Sequence, residues 1–126
     1  MIDTVSGPDL PAKIGPYSHA VRTLGLLFVS GQAGVEPAHG HPAGTTMAEQ
    51  AGQAFANLDA VLRAGGSKPE LVVSTTVLVA DMSQFAEVNR QFAEFFGASP
   101  PARMTMQVTL PLGLLVSIGC IALLEA

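Results

Sequence analysis

Residues 72–108 read VVSTTVLVADMSQFAEVNRQFAEFFGASPPARMTMQV, and this stretch decides the fold. Val72 to Val79 is rich in Val and Thr, whose branched β-carbons favour a strand over a helix. Asp81 and Gln84 then resemble a helix capping box. The apolar residues that follow recur at helical spacing: Phe85, Val88, Phe92, Phe95 and Phe96. Gly97 should end this helix.

Pro100 and Pro101 prevent the helix from continuing and lead into an extended segment from Arg103 to Val108. Apolar and polar residues alternate through that segment, with Met104, Met106 and Val108 set against Arg103, Thr105 and Gln107. Because successive side chains of a strand point to opposite faces, we expect the methionines to face the core and the polar residues to face away from it.

A second helix is predicted N-terminal to this stretch, beginning at a capping box formed by Thr46 and Glu49. Its apolar residues recur at helical spacing: Met47, Ala51, Ala54, Phe55, Leu58, Val61 and Leu62. The helix should end at Gly65 and Gly66, because glycine adopts the left-handed conformation that closes a helix. Gly34 to Thr45, which contains His39 and His41 and is rich in glycine and proline, is predicted to be a loop.

The remaining strands are predicted towards the two ends of the chain. Ile14 to Arg22 reads as a loop, and Leu26 to Ser30 as a short strand entered from a tight hairpin at Leu24 and Gly25. Leu115 to Leu124 is predicted to be a buried strand that is apolar on both faces.

This order of elements predicts an α+β fold with a single sheet and two helices packed on one of its faces. The other face needs cover, so we expect it to pack against further copies of the chain in a closed symmetric assembly. A chain of 126 residues has room for a single domain, spanning 1–126. The uncharged segment from Val108 to Leu124 contains Pro111 and Gly113 and barely reaches the length of a membrane span, so none is expected.

Composition argues against several kinds of function. Apolar residues make up 48% of the chain and charged residues only 13%, which also favours an oligomer. The net charge is -4 and the six Lys and Arg are scattered singly, so no nucleic-acid partner is expected. With one cysteine and no leader pattern after Met1, we expect a cytoplasmic protein without disulfides.

Arg103 is the most informative polar residue, because a guanidinium fixed at the start of a strand offers two parallel donors that match a carboxylate. A structural salt bridge is the commoner role for an arginine, and residue type alone favours it. Tyr17, in the stiff loop Gly15-Pro16-Tyr17-Ser18, either walls a pocket or packs inside the protein. Asn89, one helical turn after Phe85, either braces a loop or caps the core.

The histidines and the cysteine give weaker signals. His39 and His41 share a loop without a His-x-Glu or Cys-x-x-Cys framework, and His19 stands apart, so no metal site is expected. Cys120 lies in an apolar run, which suits core filling rather than nucleophilic chemistry. Without a glycine-rich phosphate loop or a serine elbow, no cofactor is expected.

Five short segments, taken together, carry a family resemblance. They are Gly15-Pro16-Tyr17-Ser18, Phe28-Val29-Ser30-Gly31-Gln32, Asn57-Leu58, the stretch from Val88-Asn89 to Phe95-Phe96, and Pro101-Ala102-Arg103. In their order and spacing, across nearly the whole chain, they resemble the Rid family of YjgF-type proteins. The resemblance implies a chorismate-mutase-like homotrimer with a small-molecule cleft at each subunit boundary.

The resemblance also implies an enamine or imine deaminase. Arg103 would bind the carboxylate of a 2-imino or enamine acid. Tyr17 matches the family's loop tyrosine, Asn89 its helix asparagine, and Gly31 a glycine whose backbone lines the cleft. In deaminating members water attacks the bound imine and ammonia leaves, so the protein's task is to hold the anion and orient the water.

Two positions depart from the family pattern. Deaminating members commonly carry Val-Glu-Ile-Glu-Ala in the last strand, with a glutamate that orients water; this chain has Val116-Ser117-Ile118-Gly119-Cys120, and Gly119 is expected to leave extra volume. Thr105 replaces the cysteine that usually follows the arginine by two positions, and its hydroxyl can still bond a ligand.

These departures leave several functions open. A deaminase of altered specificity and a non-enzymatic trimer that binds a small carboxylate are both compatible with the residues. Hydrolysis or tautomerisation of an unsaturated acid would use the same pocket. Ribonuclease activity fits badly with the acidic charge and the lack of a histidine pair for acid and base work.

Overall fold

A computed structural model describes all 126 residues of the chain. In chain order its elements are β1 (Asp3–Val5), β2 (Ala20–Thr23), β3 (Leu26–Ala33), α1 (Met47–Ala64), β4 (Val72–Val79), α2 (Phe85–Phe96), β5 (Ala102–Gln107) and β6 (Val116–Leu123). The strands form one sheet in the order β1-β2-β3-β6-β4-β5. β4 and β5 are parallel and all other neighbours are antiparallel, so the sheet is mixed.

Both helices pack on one face of this sheet, which confirms the predicted α+β architecture. Every second residue of β6 is buried on the helix side: Val116, Ile118, Cys120 and Ala122. These side chains belong to one core with Leu58 and Leu62 of α1 and with Val88 and Phe92 of α2. Burying an aliphatic side chain of this size stabilises the fold by about 1.5–3 kcal/mol, so this core fixes the helices on the sheet.

The two helices begin differently. At α1 the predicted capping box is present: Glu49 N donates to Thr46 Oγ1, and Thr46 N donates to Glu49 Oε1, each at 3.2 Å. The predicted box at Asp81 and Gln84 is wrong. The Asp81 carboxylate accepts from Ser83 N within a 3-10 turn, Gln84 makes no capping bond, and α2 starts only at Phe85.

The N-terminal region contains more strand than the sequence predicts. β2 occupies Ala20–Thr23, where a loop was expected, and β1 was not predicted at all. Both strands are too short to show a periodic pattern, and they form because the predicted hairpin pairs Thr23 with Leu26. Its residues Leu24 and Gly25 have φ values of 55° and 75°, the left-handed conformation that a two-residue hairpin turn requires.

The predicted faces of β5 are reversed. Met104 and Met106 are 60% and 39% exposed, and they lie on the sheet face away from the helices. The parallel register pairs Arg103 with Thr75 and Thr105 with Val77, which are buried on the helix side. The alternation of side chains along β5 was predicted correctly. At this edge strand, however, the polarity of a side chain does not indicate whether it lies on the face that the helices cover.

The sheet face opposite the helices, here called the open face, is uncovered within one chain. It carries exposed or half-buried apolar side chains from four strands: Phe28, Leu78, Met104, Met106, Ile121 and Leu123. Contiguous exposed apolar surface of this kind usually marks an interaction surface. Neither helix of the structure has the length and apolar character needed to cross a membrane.

Candidate functional site

Arg103 lies at the start of β5 and its guanidinium rests against α2. Its Nη1 donates to Asn89 Oδ1 at 2.8 Å. Its central carbon lies 4.7 Å from the centre of the Phe92 ring and 5.1 Å from that of Phe85. A guanidinium stacked on aromatic rings is attracted to their negative faces, and the asparagine bond fixes its rotation. The sequence predicted that Asn89 either braces a loop or caps the core, whereas the side chain it contacts is Arg103.

Arg103 has no carboxylate partner within the chain, unlike the other three arginines. Those pair as Arg22 with Asp3 at 3.6 Å, Arg63 with Asp59 at 3.1 Å, and Arg90 with Glu87 at 2.6 Å and with Glu94 at 2.7 Å. An oriented arginine with free N–H groups and no anion beside it is suited to bind the carboxylate of a ligand.

A groove of about 430 Å³ opens beside Arg103. It is lined by Asn89, Phe92, Ala93, Gly97, Pro100, Pro101 and Arg103. Thr105 lies two residues along β5 on the same face as Arg103 and is half-buried. Arg103, Asn89 and Thr105 are thus brought to the same edge of the sheet.

Tyr17 and Gly31 form a second group, on the other side of the molecule. The Tyr17 ring is 36% exposed, and its hydroxyl oxygen accepts from Ile14 N at 3.3 Å. Ser30 ties this loop to β3, because its Oγ donates to Ser18 O at 2.6 Å and its N donates to His19 O at 2.9 Å. Gly31 lies next to Ser30, where the pairing of β3 with β6 shifts register.

His19 packs beside this second group, next to Gln32. It is buried, and its Nε2 lies 2.6 Å from Pro11 O. A carbonyl can only accept, so Nε2 carries the proton and Nδ1 is free to accept from Gln32 Nε2 at 3.5 Å. His39 and His41 stack on each other in their loop, and no group of three or more His, Cys, Asp or Glu lies close enough to hold a metal ion.

Gly119 of the last strand lies beside the backbone of β3. A Cβ built there would lie 3.2 Å from Val29 O and 3.5 Å from Gly31 N, so a larger residue needs β3 to shift slightly. Ser117, on the same face of β6, also approaches the predicted site, and it does so with its side chain: a Cβ on Gly31 would come within 2.5 Å of its Oγ. The alternation of β6 could have singled out Ser117, but the register with Gly31 could not be read from the sequence.

Cys120 lies on the helix side of β6 and is part of the core, as predicted. Burial raises the pKa of its thiol to about 12. A thiol that stays protonated and hidden at neutral pH is unsuited to nucleophilic attack.

Within one chain the two groups do not meet. β5 is at the edge of the sheet, and β3 lies three positions away, beyond β4 and β6. Neighbouring strands are about 4.8 Å apart, so Arg103 and Gly31 are separated by roughly 14 Å across the sheet. Arg103 also lies on the helix side, whereas Gly31 approaches Ser117 on the open face. One small carboxylate cannot contact both groups in a single chain.

Comparison with known proteins identifies the family. Residues 8–124 match the family model described as Endoribonuclease L-PSP. The chain belongs to this family. As a family member it is 42% identical over 122 residues to the RutC family protein y4sK of Sinorhizobium fredii, covering 96% of this chain and 97% of that protein. It is 43% identical over 119 residues to the mouse protein named 2-iminobutanoate/2-iminopropanoate deaminase, covering 94% of this chain and 88% of that protein.

Solved structures agree with this assignment to the L-PSP family. The fold superposes with a TM-score of 0.92 on YyfA of Yersinia pestis, whose structure is described as a protein of unknown function of the conserved Rid protein family. The two chains are 33% identical, and the match covers 98% of this chain and all of the other. The resemblance to the Rid family is therefore confirmed. The roles predicted for Arg103, Tyr17, Gly31, Asn89 and Thr105 stay predictions.

Proposed function

We propose that this L-PSP family chain is an enamine or imine deaminase, which binds the carboxylate of a small 2-imino acid through Arg103. The observation that carries the proposal is that Arg103 is oriented by Asn89 and two phenylalanine rings but has no carboxylate partner in the chain. A relative that is 43% identical is named as a deaminase of such acids, which favours the same chemistry here.

In the proposed reaction the chain contributes positioning and charge. Arg103 holds the carboxylate, so that C2 of the imine faces water. The water oxygen bonds to C2, the two protons of the water pass to the imine nitrogen, and the C–N bond breaks to release ammonia and leave a 2-oxo acid. Asn89 keeps the guanidinium in place, and the Thr105 hydroxyl offers a further hydrogen bond.

The carboxylate that orients water in deaminating relatives has no counterpart in this chain, because Ser117 and Gly119 occupy both glutamate positions of the pattern. The Ser117 hydroxyl, beside Gly31, is the side chain of β6 best positioned to hold the water instead. A hydroxyl orients water without acting as a base, so we expect a slow enzyme rather than an inert one.

We further propose that the chain forms a homotrimer and that each site is completed by a neighbouring subunit. Two observations support this arrangement. The open face carries exposed apolar side chains such as Phe28 and Met104. The two groups of predicted site residues lie roughly 14 Å apart in one chain, so a partner's Tyr17 and Gly31 are needed beside Arg103.

A non-enzymatic trimer that binds a small carboxylate is the alternative, and the absence of a glutamate in β6 is what favours it. Ribonuclease activity, which the family description names, is less compatible with the charges. Three of the four arginines are neutralised by acids, and the only other cations of the chain are Lys13, Lys68 and the N-terminus.

The experiment generates short 2-imino acids in situ with an amino-acid oxidase and follows 2-oxo acid formation. We expect the wild-type chain to accelerate hydrolysis and Arg103→Ala to lower kcat/KM about 100-fold, equivalent to about 2.7 kcal/mol of transition-state stabilisation. Arg103→Lys should fall between the two, because it keeps the charge but loses the planar fork. Arg63→Ala, which breaks only an exposed pair with Asp59, is the matched control and should retain full activity.

An inert wild type would exclude the deaminase. Saturable binding of a carboxylate that Arg103→Ala abolishes would then support the binding protein. Sedimentation equilibrium tests the assembly independently, since a wild-type monomer would exclude a site shared between subunits. Phe28→Asp should dissociate a trimer by placing a charge on the open face.

A further inference from the structure

The groove beside Arg103 is larger than the smallest family substrates require. Its volume is about 430 Å³, within the range of roughly 300–1,000 Å³ typical of small-molecule sites. A three-carbon imino acid bound through its carboxylate would occupy only a small part of it. The remainder lies along the last turn of α2 and the segment that leads into β5.

Apart from Arg103, the groove contains no charged side chain. Asn89 is its only other polar side chain, and the oxygen of that amide already accepts from Arg103. The rest of the lining is carbon: the Phe92 ring on which the guanidinium stacks, the Ala93 methyl group and the rings of Pro100 and Pro101. A second carboxylate or an ammonium group on the ligand would find no partner among these groove residues.

The backbone beside the groove turns at a glycine and is restricted by two prolines. Gly97 has a φ of 70°, which allows the chain to leave α2 and turn back, and its N donates to Ala93 O at 2.9 Å. Pro100 and Pro101 have fixed φ angles, so the wall between Gly97 and Arg103 has few alternative conformations. A preformed apolar wall binds a complementary side chain at little cost in conformational entropy.

From these observations we infer that the groove binds the side chain of the substrate, and that the preferred substrates are monocarboxylic 2-imino acids with bulky uncharged side chains, branched or aromatic. The inference rests on the proposed binding of the carboxylate by Arg103. With that carboxylate fixed at one end, the side chain extends along Ala93 and the two prolines. Dicarboxylic and basic acids are disfavoured.

Calorimetric binding of stable 2-oxo acids to the full chain tests this inference without requiring turnover. The probes are pyruvate, 4-methyl-2-oxopentanoate, phenylpyruvate and 2-oxoglutarate. We expect affinity to rise about fourfold for each methylene that becomes buried, giving at least a tenfold gain from pyruvate to phenylpyruvate. 2-Oxoglutarate should bind no more tightly than pyruvate. Equal affinities across the series would overturn the inference.

Two alanines of α2 provide a matched pair of variants. Ala93 lines the groove and Ala86 does not, and both are exposed on the same helix. Ala93→Phe should weaken phenylpyruvate binding at least tenfold and pyruvate binding less than threefold. Ala86→Phe should bind all probes as the wild type does. If Ala93→Phe weakens both acids equally, or neither, the side chain does not lie in this groove.

Arg103→Ala separates the two levels of the argument. Loss of binding for every probe, combined with no dependence on side-chain size in the wild type, would overturn only the assignment of the groove. Undiminished binding of phenylpyruvate to Arg103→Ala would overturn the carboxylate site itself, and with it the proposed function.

Discussion

The two halves of the candidate site are built in different ways. At the edge of the sheet, Arg103 is positioned by side chains, namely Asn89, Phe85 and Phe92 on α2. On the open face, Gly31 is positioned by backbone: the register of β3 shifts there, and Ser30 ties the shifted segment to the loop of Tyr17. The first half offers a charge, and the second offers a shape with hydrogen-bonding groups.

This difference matters for how each half tolerates substitution. A charge held by an aromatic platform is lost when either the charge or its orientation is lost, so the effects at the first half should be large. At a surface formed by backbone and small side chains, a substitution acts only by displacing neighbouring atoms, so its effect on activity should be smaller. The following three predictions test that contrast, from the largest expected effect to the smallest.

Asn89→Asp should prevent Arg103 from binding a ligand carboxylate. The new carboxylate would lie about 2.8 Å from Arg103 Nη1, where the amide oxygen is now, and would supply the acid partner that Arg103 lacks. We expect carboxylate binding and kcat/KM to fall about 100-fold while thermal stability is retained, because a charge-assisted bond replaces a neutral one. Ala56→Asp adds the same charge on an exposed position of α1 and is the control. Unchanged ligand affinity in Asn89→Asp would show that Arg103 does not bind the carboxylate.

Ser117→Glu and Gly119→Glu place the same side chain at two positions of β6. The Ser117 side chain points towards Gly31, so Ser117→Glu should raise the rate of imine hydrolysis about tenfold by orienting water. Gly119→Glu should not, because its Cβ would press on Val29 O at 3.2 Å, and we expect it to lower the free energy of unfolding by about 1 kcal/mol. Steady-state kinetics and urea unfolding distinguish the two. A gain confined to Gly119→Glu would place the water two residues further along the same face of β6.

Gly31→Ala should have the smallest effect. The added methyl group would come within 2.5 Å of Ser117 Oγ, but that hydroxyl can rotate away. We expect a loss of activity of about threefold and little change in stability. Ser117→Gly removes the contact but also the proposed water-holding hydroxyl, so the double variant is compared with Ser117→Gly, against which Gly31→Ala should cost no further activity. A threefold loss in the double variant relative to Ser117→Gly would mean that Gly31 is required for its backbone alone, independently of Ser117.

Much of the fold could be predicted from local pattern. β4 and the ends of both helices at Gly65 and Gly97 follow from branched residues, apolar periodicity and glycine, all of which act within a few residues of the chain. β1 and β2 could not be predicted, because three or four residues carry too little pattern and their pairing is decided by a distant partner. The faces of β5 were reversed for the same reason, since its register with the distant strand β4 decides which of its residues face the helices.

For the candidate site too, local features could be predicted from the sequence and contacts between distant segments could not. Residue types and their spacing in the sequence were enough to single out Arg103, Tyr17, Gly31, Asn89 and Thr105 and to indicate the family, because these signals are local and chemically distinctive. Only the tertiary structure decided that Arg103 lacks an acid partner, that the Ser117 side chain approaches Gly31, and that the backbone of β3 lies close beside Gly119. Those facts depend on strand register and on distances between segments far apart in the chain, and sequence spacing does not encode either one directly.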